Sequence, residues 1–295
     1  MSLIYGDNFI NHNSFPSGSN YNFYSIFYNN TNLISAANLV LPTITLTPYC
    51  YESMFSGCTA LTTAPVLPAT TLADNCYNHM FSGCTALTTA PALPATTLAD
   101  SCYASMFGVC SSLTTAPVLP ATTLTYSCYT AMFKGCSSLT TAPALPATTL
   151  TDYCYDSMFS GCTSLTTAPV LSATSLAQYC YAQMFYSCRS LTSAPALPAT
   201  TLYKWCYYRM FVNCILLTTS PVLPATTLVS SCYREMFKGC SLLNTVTTYN
   251  TNYVSGATTA WLENVASSGR FYNRGNATFT KNSASGIPSG WTEYR

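Results

Sequence analysis

The chain repeats itself every 26 residues, and this period limits its fold more than any other feature of the sequence. The string C-Y-x-x-M-F-x-x-C begins eight times, each start 26 residues after the last. The eight first cysteines are Cys50, Cys76, Cys102, Cys128, Cys154, Cys180, Cys206 and Cys232. A Thr- and Pro-rich stretch, such as that from Leu61 to Leu72, joins each string to the next. Such a period is typical of a solenoid, in which one unit cannot bury its own apolar side chains but stacked units can.

Each unit predicts one short helix and one short strand. Cys76, Met80 and Cys84 are spaced i, i+4, i+8, and the Tyr and Phe that follow the first two widen this into one apolar helical stripe. Gly or Asn closes the stripe in six of the eight units, which suits a left-handed C-cap. The Thr-rich segment predicts a strand that is short or irregular, because Pro65 cannot donate to a ladder. We therefore expect an α/β repeat, with a short strand plus a short helix per 26-residue unit.

The repeat has less regular ends, which suggests three parts. A worn unit precedes the first full one, and the last unit loses the pattern after Leu243. The worn unit places Phe23, Ile26, Phe27, Asn30 and Leu33 where the first full unit has Tyr51, Met54, Phe55, Cys58 and Leu61. We expect an N-terminal aromatic and polar arm (1–21), a solenoid of one worn unit plus eight units (22–242), and a C-terminal capping module (243–295). Terminal repeats are expected to be atypical, since one side of each faces water.

The run M-F-S-G-C-T-A-L-T-T-A-P, which starts at Met80, resembles the bacterial BspA-type leucine-rich repeat. Units of that family pair an A-F-x-x-C-x-x-L core with a Pro-terminated strand, and Cys84 and Leu87 stand at the matching places. The stretch around Trp261 and residues 286–292 resembles the closing module of such proteins in gut bacteria and their phages. The resemblance implies a leucine-rich-repeat-type solenoid that adheres or binds a partner, without catalysis.

Charge is too scarce to point to a polyanionic partner. Charged residues make up 6% of the chain and the net charge is +1, so no strong field draws it toward nucleic acid or an anionic membrane. No apolar stretch of about 18 residues is present, and we expect no membrane insertion. The N-terminal residues have neither a basic nor an apolar region of the kind that signal peptides carry. Either the chain is made and used without Sec export, or a signal was removed and a new Met was added, and we favour the first.

Motifs for chemistry are missing from the sequence. It contains neither a phosphate-binding G-x-x-x-x-G-K-[ST] loop nor a G-x-S-x-G nucleophile turn, and its nine carboxylates are scattered singly. His12 and His79 have no partner ligand at a repeating position. Seven and then seventeen residues separate successive cysteines, whereas zinc sites favour much closer pairs. We expect no enzyme activity, no cofactor and no metal.

The sixteen cysteines allow two interpretations. Both members of a unit's pair are replaced together in the worn unit, by Asn22 and Asn30, which a linked pair would explain. In a regular helix, however, Cys76 and Cys84 would lie about 12 Å apart, beyond the roughly 7 Å that a disulfide allows between Cα atoms. Buried free thiols pack as small apolar side chains, and we favour this second interpretation.

The residue after the strand proline alternates strictly between Val and Ala. The series is Val66, Ala92, Val118, Ala144, Val170, Ala196 and Val222. Either the chain grew by duplication of a 52-residue pair of units, or large and small side chains alternate to fit between layers.

Variation between the units points to a binding surface. The positions predicted to face inward hardly change, whereas Tyr153, Tyr179 and Trp205 replace small residues at one position of the later units, where stacking would place them in a row. Tyr, Trp and Arg are enriched at binding hot spots. The predicted partner-binding set is Tyr153, Tyr179, Tyr186, Arg189, Tyr203, Trp205, Tyr208 and Arg209. Flat aromatic faces would suit sugar rings or a protein surface, and neutral drift of a solvent-facing side is the competing interpretation.

Two settings fit a binding solenoid of this composition. One is a phage virion component, a tail or fibre protein that contacts the host surface. The other is an exported bacterial surface adhesin that binds a host protein or glycan. The lack of an export signal and the polar, aromatic N-terminal arm favour the virion. In either setting the expected partner is a protein or a host cell-surface protein or glycan, and a homo-oligomer within an assembly is compatible with the sequence.

Overall fold

The computed structural model describes residues 22–41 and 45–295, which stack as successive layers of one solenoid. Layers are joined by backbone hydrogen bonds from one unit to the next. The N–H of Phe81 donates to the carbonyl of Met106, and the N–H of Phe107 donates to that of Met132, both at 2.9 Å. The predicted solenoid is confirmed.

The predicted helix in each unit is wrong, since no helix occurs in the described residues and a run of turns takes its place. In the unit of Cys76, every second N–H donates to the carbonyl three residues earlier, as from Met80 to Tyr77 at 3.2 Å. The intervening N–H groups donate to the next layer. Left-handed residues recur every four positions, at Asn75, His79 and Gly83, with φ of 54°, 55° and 75°. We call this segment, residues 73–84 and its equivalents in the other units, the turn ribbon.

The spacing of the layers explains why the turn ribbon replaces the helix. An α-helix with its side chains is about 10 Å across, whereas layers joined by backbone hydrogen bonds lie about 4.8 Å apart. Helices on one side would force each layer into a wedge. The turn ribbon instead gives half of its N–H groups to the neighbouring layer, so that both sides of the solenoid are bonded at a similar spacing. Its four-residue period accommodates the Cys–Met–Cys stripe as well as a helix would.

The hydrophobic core runs between the turn ribbon and the strand side. The Met and Phe of every ribbon from Met54 to Phe237 are fully buried, which confirms the predicted inward columns. Equivalent rings stack from layer to layer, and the centroids of Phe107 and Phe133 lie 5.7 Å apart with planes within 4°. On the strand side each layer adds three leucines and an alanine, which in the unit of Cys76 are Leu87, Leu93, Leu98 and Ala95.

All sixteen cysteines are buried free thiols that form two columns. Each thiol of the second column donates a hydrogen bond to the Phe carbonyl of the preceding layer. The Sγ atom of Cys84 lies 3.1 Å from the oxygen of Phe55, and that of Cys136 lies 3.0 Å from the oxygen of Phe107. Burial raises the pKa of the thiols, to about 11 for Cys128. They therefore stay protonated at neutral pH and act as small, bonded core residues.

The strand side is irregular along most of the solenoid, as its prolines predicted. Single parallel bridges such as Thr89 to Thr115 join the regular layers. Within residues 22–41 and 45–295, continuous strands form only near the C-terminus, in one parallel sheet with the order β1-β2-β3-β4. They are β1 (Thr219–Leu223), β2 (Thr245–Thr248), β3 (Gly269–Asn273) and β4 (Trp291–Tyr294). We call this the terminal sheet.

Layers continue into the C-terminal stretch. The N–H of Tyr233 donates to the carbonyl of Ala257 at 3.0 Å, and the N–H of Phe237 donates to that of Trp261 at 2.9 Å. Trp261 is fully buried, and its indole N–H donates to the carbonyl of Gly286 at 2.9 Å. This stretch therefore adds a degenerate layer and then covers it with residues 280–287.

The alternating valines do not pack between layers. Val118 and Val170 are 78% and 81% exposed, so the packing explanation of the alternation is wrong, and duplication of a pair of units remains. In residues 22–41 and 45–295 nothing forms a helix long and apolar enough to cross a membrane.

Candidate functional site

Tyr153, Tyr179 and Trp205 form a continuous stack on the outer side of the turn ribbon, as their shared repeat position predicted. The ring centroids of Tyr153 and Tyr179 lie 4.6 Å apart with planes 9° from parallel. Those of Tyr179 and Trp205 lie 5.6 Å apart with planes 4° from parallel. We call these three residues the aromatic row. All three side chains are half-buried, so the row is a ridge that still meets solvent.

Each residue of the aromatic row has a left-handed backbone, with φ of 59° at Tyr153, 54° at Tyr179 and 63° at Trp205. Earlier units have Tyr49, Asn75 and Ser101 at the same position and with the same conformation. Asn is among the few side chains enriched in this conformation, whereas a bulky ring is disfavoured there. The fold therefore requires no aromatic side chain at this position, and local backbone preference opposes one.

Side chains of neighbouring layers cover both ends of the aromatic row. Tyr126 packs edge-on against Tyr153, with centroids 5.6 Å apart and planes at 62°. At the other end, Tyr208 packs edge-on against Trp205 at 4.9 Å, and the guanidinium of Arg234 lies 5.6 Å from the Trp205 ring centroid.

This packing changes which ligand the aromatic row suits. The flat faces of its rings contact one another or their covering neighbours, so the row offers mainly ring edges and hydroxyl groups. The expectation that these faces would receive sugar rings does not fit the geometry. Ring edges carry positive partial charge and, with the hydroxyls, suit the polar and apolar mixture of a protein surface.

A shared carboxylate holds the two arginines beside the aromatic row. The Nε of Arg209 lies 2.8 Å from one oxygen of Glu235, and the Nε of Arg234 lies 3.4 Å from the other. Burial alone would raise the pKa of Glu235, but the hydrogen bonds from Arg209 and Arg234 hold it below its usual value. The guanidinium of Arg209 also lies 4.9 Å from the centroid of Tyr208. These contacts hold the side chains at this end of the surface in one arrangement.

The structure brings together five of the eight predicted residues directly. The aromatic row, Tyr208 and Arg209 form one patch. The pKa of Arg209 is raised, first by its hydrogen bond to Glu235 and to a smaller extent by the nearby Tyr186. Arg189 and Tyr203 are exposed. Within the described residues no ring contact, hydrogen bond or ion pair links either of them to the row.

Sequence reasoning missed three residues of the patch. Tyr126 lies one place out of line with the aromatic row, so alignment of the units hid it. Arg234 follows Tyr208 by one period, and Glu235 follows Arg209 by one period. An extension of the predicted columns by one more unit would have found both.

The next question is whether the described residues could hold a metal ion or supply a nucleophile. No group of three or more His, Cys, Asp or Glu side chains in the described part of the chain is placed to hold a metal ion. The raised pKa of the buried thiols leaves them poor nucleophiles.

A family model agrees with the repeat pattern. The model of the family described as BspA type leucine-rich repeat region (6 copies) matches residues 5–144, 50–192, 129–261 and 177–283. Among solved structures, the chain is similar to a leucine-rich repeat protein from Bacteroides ovatus, with 15% identity over 83% of this chain and 80% of that chain and a TM-score of 0.29. No curated protein matches the chain.

Proposed function

Since the chain belongs to the BspA-type leucine-rich repeat family, we propose that it is a non-enzymatic binding solenoid whose partner contacts the aromatic row. Leucine-rich repeat proteins generally mediate contacts between proteins. Nearly identical layers give such a protein a rigid scaffold, and the side chains that differ between layers are free to specify a partner.

The observation that carries the proposal is the placement of three large aromatic side chains at left-handed positions. A left-handed conformation costs an ordinary L-residue about 1–2 kcal/mol, and stacking offsets about 0.5–1.5 kcal/mol per aromatic pair. Drift on a solvent-facing side would favour small residues such as Asn and Ser, which occupy this position at Asn75, Ser101, Ser127 and Ser231, whereas Tyr49 is a single aromatic side chain in the first unit. Three successive aromatic residues are better explained by a contact that uses them.

The chemistry of the patch favours a protein partner. Stacked Tyr and Trp side chains lose little entropy on binding, and Arg209 and Arg234 already share a carboxylate. The partner would therefore bury ring edges and hydroxyl groups at the centre of the contact, with the Arg–Glu cluster at its rim.

We further propose that the contact is made in a phage tail or fibre that meets the surface of its bacterial host. An exported bacterial adhesin that binds a host-cell protein is the second setting. The same patch would serve in both, and the two settings differ in the kind of cell that the protein should bind.

The test measures binding of fluorescently labelled protein to intact gut bacterial cells and, separately, to mammalian epithelial cells. The variant Tyr179→Ser with Trp205→Ser introduces the residue that the third and fourth units have at this position, so the fold should be kept. We expect at least about tenfold weaker binding, as for the loss of two hot-spot side chains. Binding to bacterial cells supports the virion setting, and binding to epithelial cells supports the adhesin.

Thr167→Arg with Ser193→Arg is the matched control, because it places two large side chains on the exposed strand side of the same region. We expect this variant to bind as the wild type does. If it loses binding while Tyr179→Ser with Trp205→Ser binds normally, the partner lies on the strand side and the proposal is wrong. If the wild-type protein binds neither bacterial nor epithelial cells, the proposed function is also wrong.

A further inference from the structure

The outer face of the terminal sheet contains a polar depression of about 480 Å³ on the strand side of the molecule. Its polar lining residues are Asn244, Thr245, Ser268, Arg270, Thr292 and Tyr294, and two glycines complete it. No aliphatic side chain and no carboxylate lines it. A concave surface that is rich in hydrogen-bond donors and lacks negative charge is suited to an anion.

Strand pairing places Arg270 at the centre of this depression. Thr245, Arg270 and Thr292 are direct partners on β2, β3 and β4, which puts a hydroxyl group on each side of the guanidinium. The Arg270 side chain is exposed, and no carboxylate in the described residues forms an ion pair with it. Its planar fork of N–H donors matches the two oxygens of a carboxylate.

Tyr294 gives the depression an open aromatic face. The guanidinium of Arg274 lies 5.1 Å from the centroid of Tyr272, and the Tyr272 ring stacks on that of Tyr294 with centroids 5.2 Å apart. Tyr294 is 43% exposed, and among the described residues no second ring stacks on its other face. The aromatic row on the ribbon side has no comparable free face.

Charge along the chain favours a negative ligand at this end. Residues 186–295 contain nine Lys or Arg and three Asp or Glu, for a net charge of +6. Residues 1–185 contain one Lys and six Asp or Glu, for a net charge of −5. The near-neutral total therefore hides a strong asymmetry, and the positive end attracts anions during encounter.

We propose that this depression binds an acidic sugar, a glycan residue that carries a carboxylate. Arg270 binds the carboxylate, the face of Tyr294 packs against the apolar side of the sugar ring, and Thr245, Thr292 and Asn244 hydrogen-bond to its hydroxyl groups. An acidic peptide fits less well, because the depression offers no aliphatic surface to its other side chains. This site is separate from the aromatic row, so the protein would hold a protein partner and a glycan on different sides.

The test measures binding by isothermal titration calorimetry with the full chain. The probes are trigalacturonic acid and 3′-sialyllactose, with the methyl-esterified trisaccharide and lactose as their neutral counterparts. We expect at least one of the acidic sugars to bind. Its neutral counterpart should bind at least about tenfold more weakly, because it cannot form the charge-assisted hydrogen bonds with Arg270. Arg270→Ala should lower the affinity by a similar factor, and Tyr294→Ala should lower it more than Tyr294→Phe.

Lys204→Ala is the matched control, because it removes one positive charge from the same half of the chain at an exposed residue that does not line the depression. An equal loss of affinity in Arg270→Ala and Lys204→Ala would mean that the effect comes from net charge alone, and the proposed site would be wrong. The proposal is also wrong if neither acidic sugar binds, or if a decaglutamate peptide binds through Arg270 while the sugars do not. Tyr179→Ser with Trp205→Ser should leave sugar binding unchanged, so this test fails or succeeds independently of the aromatic row.

Discussion

Replacement of Phe133 by Ala tests the continuous core at its middle. The Phe133 side chain is fully buried, and its ring lies between those of Phe107 at 5.7 Å and Phe159 at 5.8 Å. Truncation of a buried Phe costs about 3–5 kcal/mol from lost transfer energy and the remaining cavity. Because both faces of the ring are stacked, and each stacked pair contributes about 0.5–1.5 kcal/mol beyond its buried area, we expect a loss near the upper end of that range.

Phe27→Ala is the matched control at the end of the same column. Phe27 is half-buried and, among the residues that the structure describes, stacks on a single ring, that of Phe55 at 5.3 Å. We expect a loss of about 1–2 kcal/mol, from partial burial and one stacked pair. Urea unfolding followed by fluorescence measures both variants, with the midpoint and the slope compared to the wild type. Equal losses in the two variants, or a loss below about 1 kcal/mol for Phe133→Ala, would refute the stacked core.

Three further predictions concern pH, thiols and the C-terminal cover. Burial raises the pKa of Asp156 to about 6, so the ionised carboxylate is disfavoured in the folded state and stability falls as the pH rises from about 4 through 6. Asp156→Asn should therefore raise the melting temperature at pH 7.5 and leave it unchanged at pH 4. An equal shift at both pH values would contradict this. Iodoacetamide should label almost no thiol in the native protein and all sixteen in unreduced, denatured protein, as intact mass would record; eight blocked pairs would mean disulfides. A Cβ at Gly286 would overlap the carbonyl oxygen of Thr280, whereas one at Gly256 would meet nothing within 4 Å and would carry only the strain of a left-handed φ of 82°. Gly286→Ala should thus lower the melting temperature more than Gly256→Ala, and the reverse order would count against the cover seen over Trp261.

The 26-residue period was enough to predict the solenoid, its buried columns and the irregular strands, because each depends only on which residues recur. The local conformation of the apolar stripe could not be predicted in the same way. Cys76, Met80 and Cys84 fit both a helix and a ribbon with a four-residue period, and the choice depends on the layer spacing imposed by the opposite side. Gly83, taken as a helix cap, is instead the third left-handed residue of the ribbon.

The candidate surface, like the fold, was predicted only in part from the sequence. Shared repeat position was sufficient to place Tyr153 and Trp205 in one row. It could not indicate that the rings would cover each other's faces, since this depends on side-chain orientation. Arg270 and Tyr294 were missed because they lie beyond the regular units, where there are no neighbouring columns with which to compare them.

The most direct test of the account is the hydrogen-bond partner of a ribbon amide in the middle of the solenoid. In the structure the N–H of Phe107 donates to the carbonyl of Met132 in the next layer, whereas in a helix it would donate to that of Tyr103, four residues earlier. Scalar coupling across the hydrogen bond in deuterated protein detects the partner by NMR. We predict a correlation between the amide nitrogen of Phe107 and the carbonyl carbon of Met132. A correlation with the carbonyl carbon of Tyr103 would contradict the layered ribbon on which the aromatic row depends.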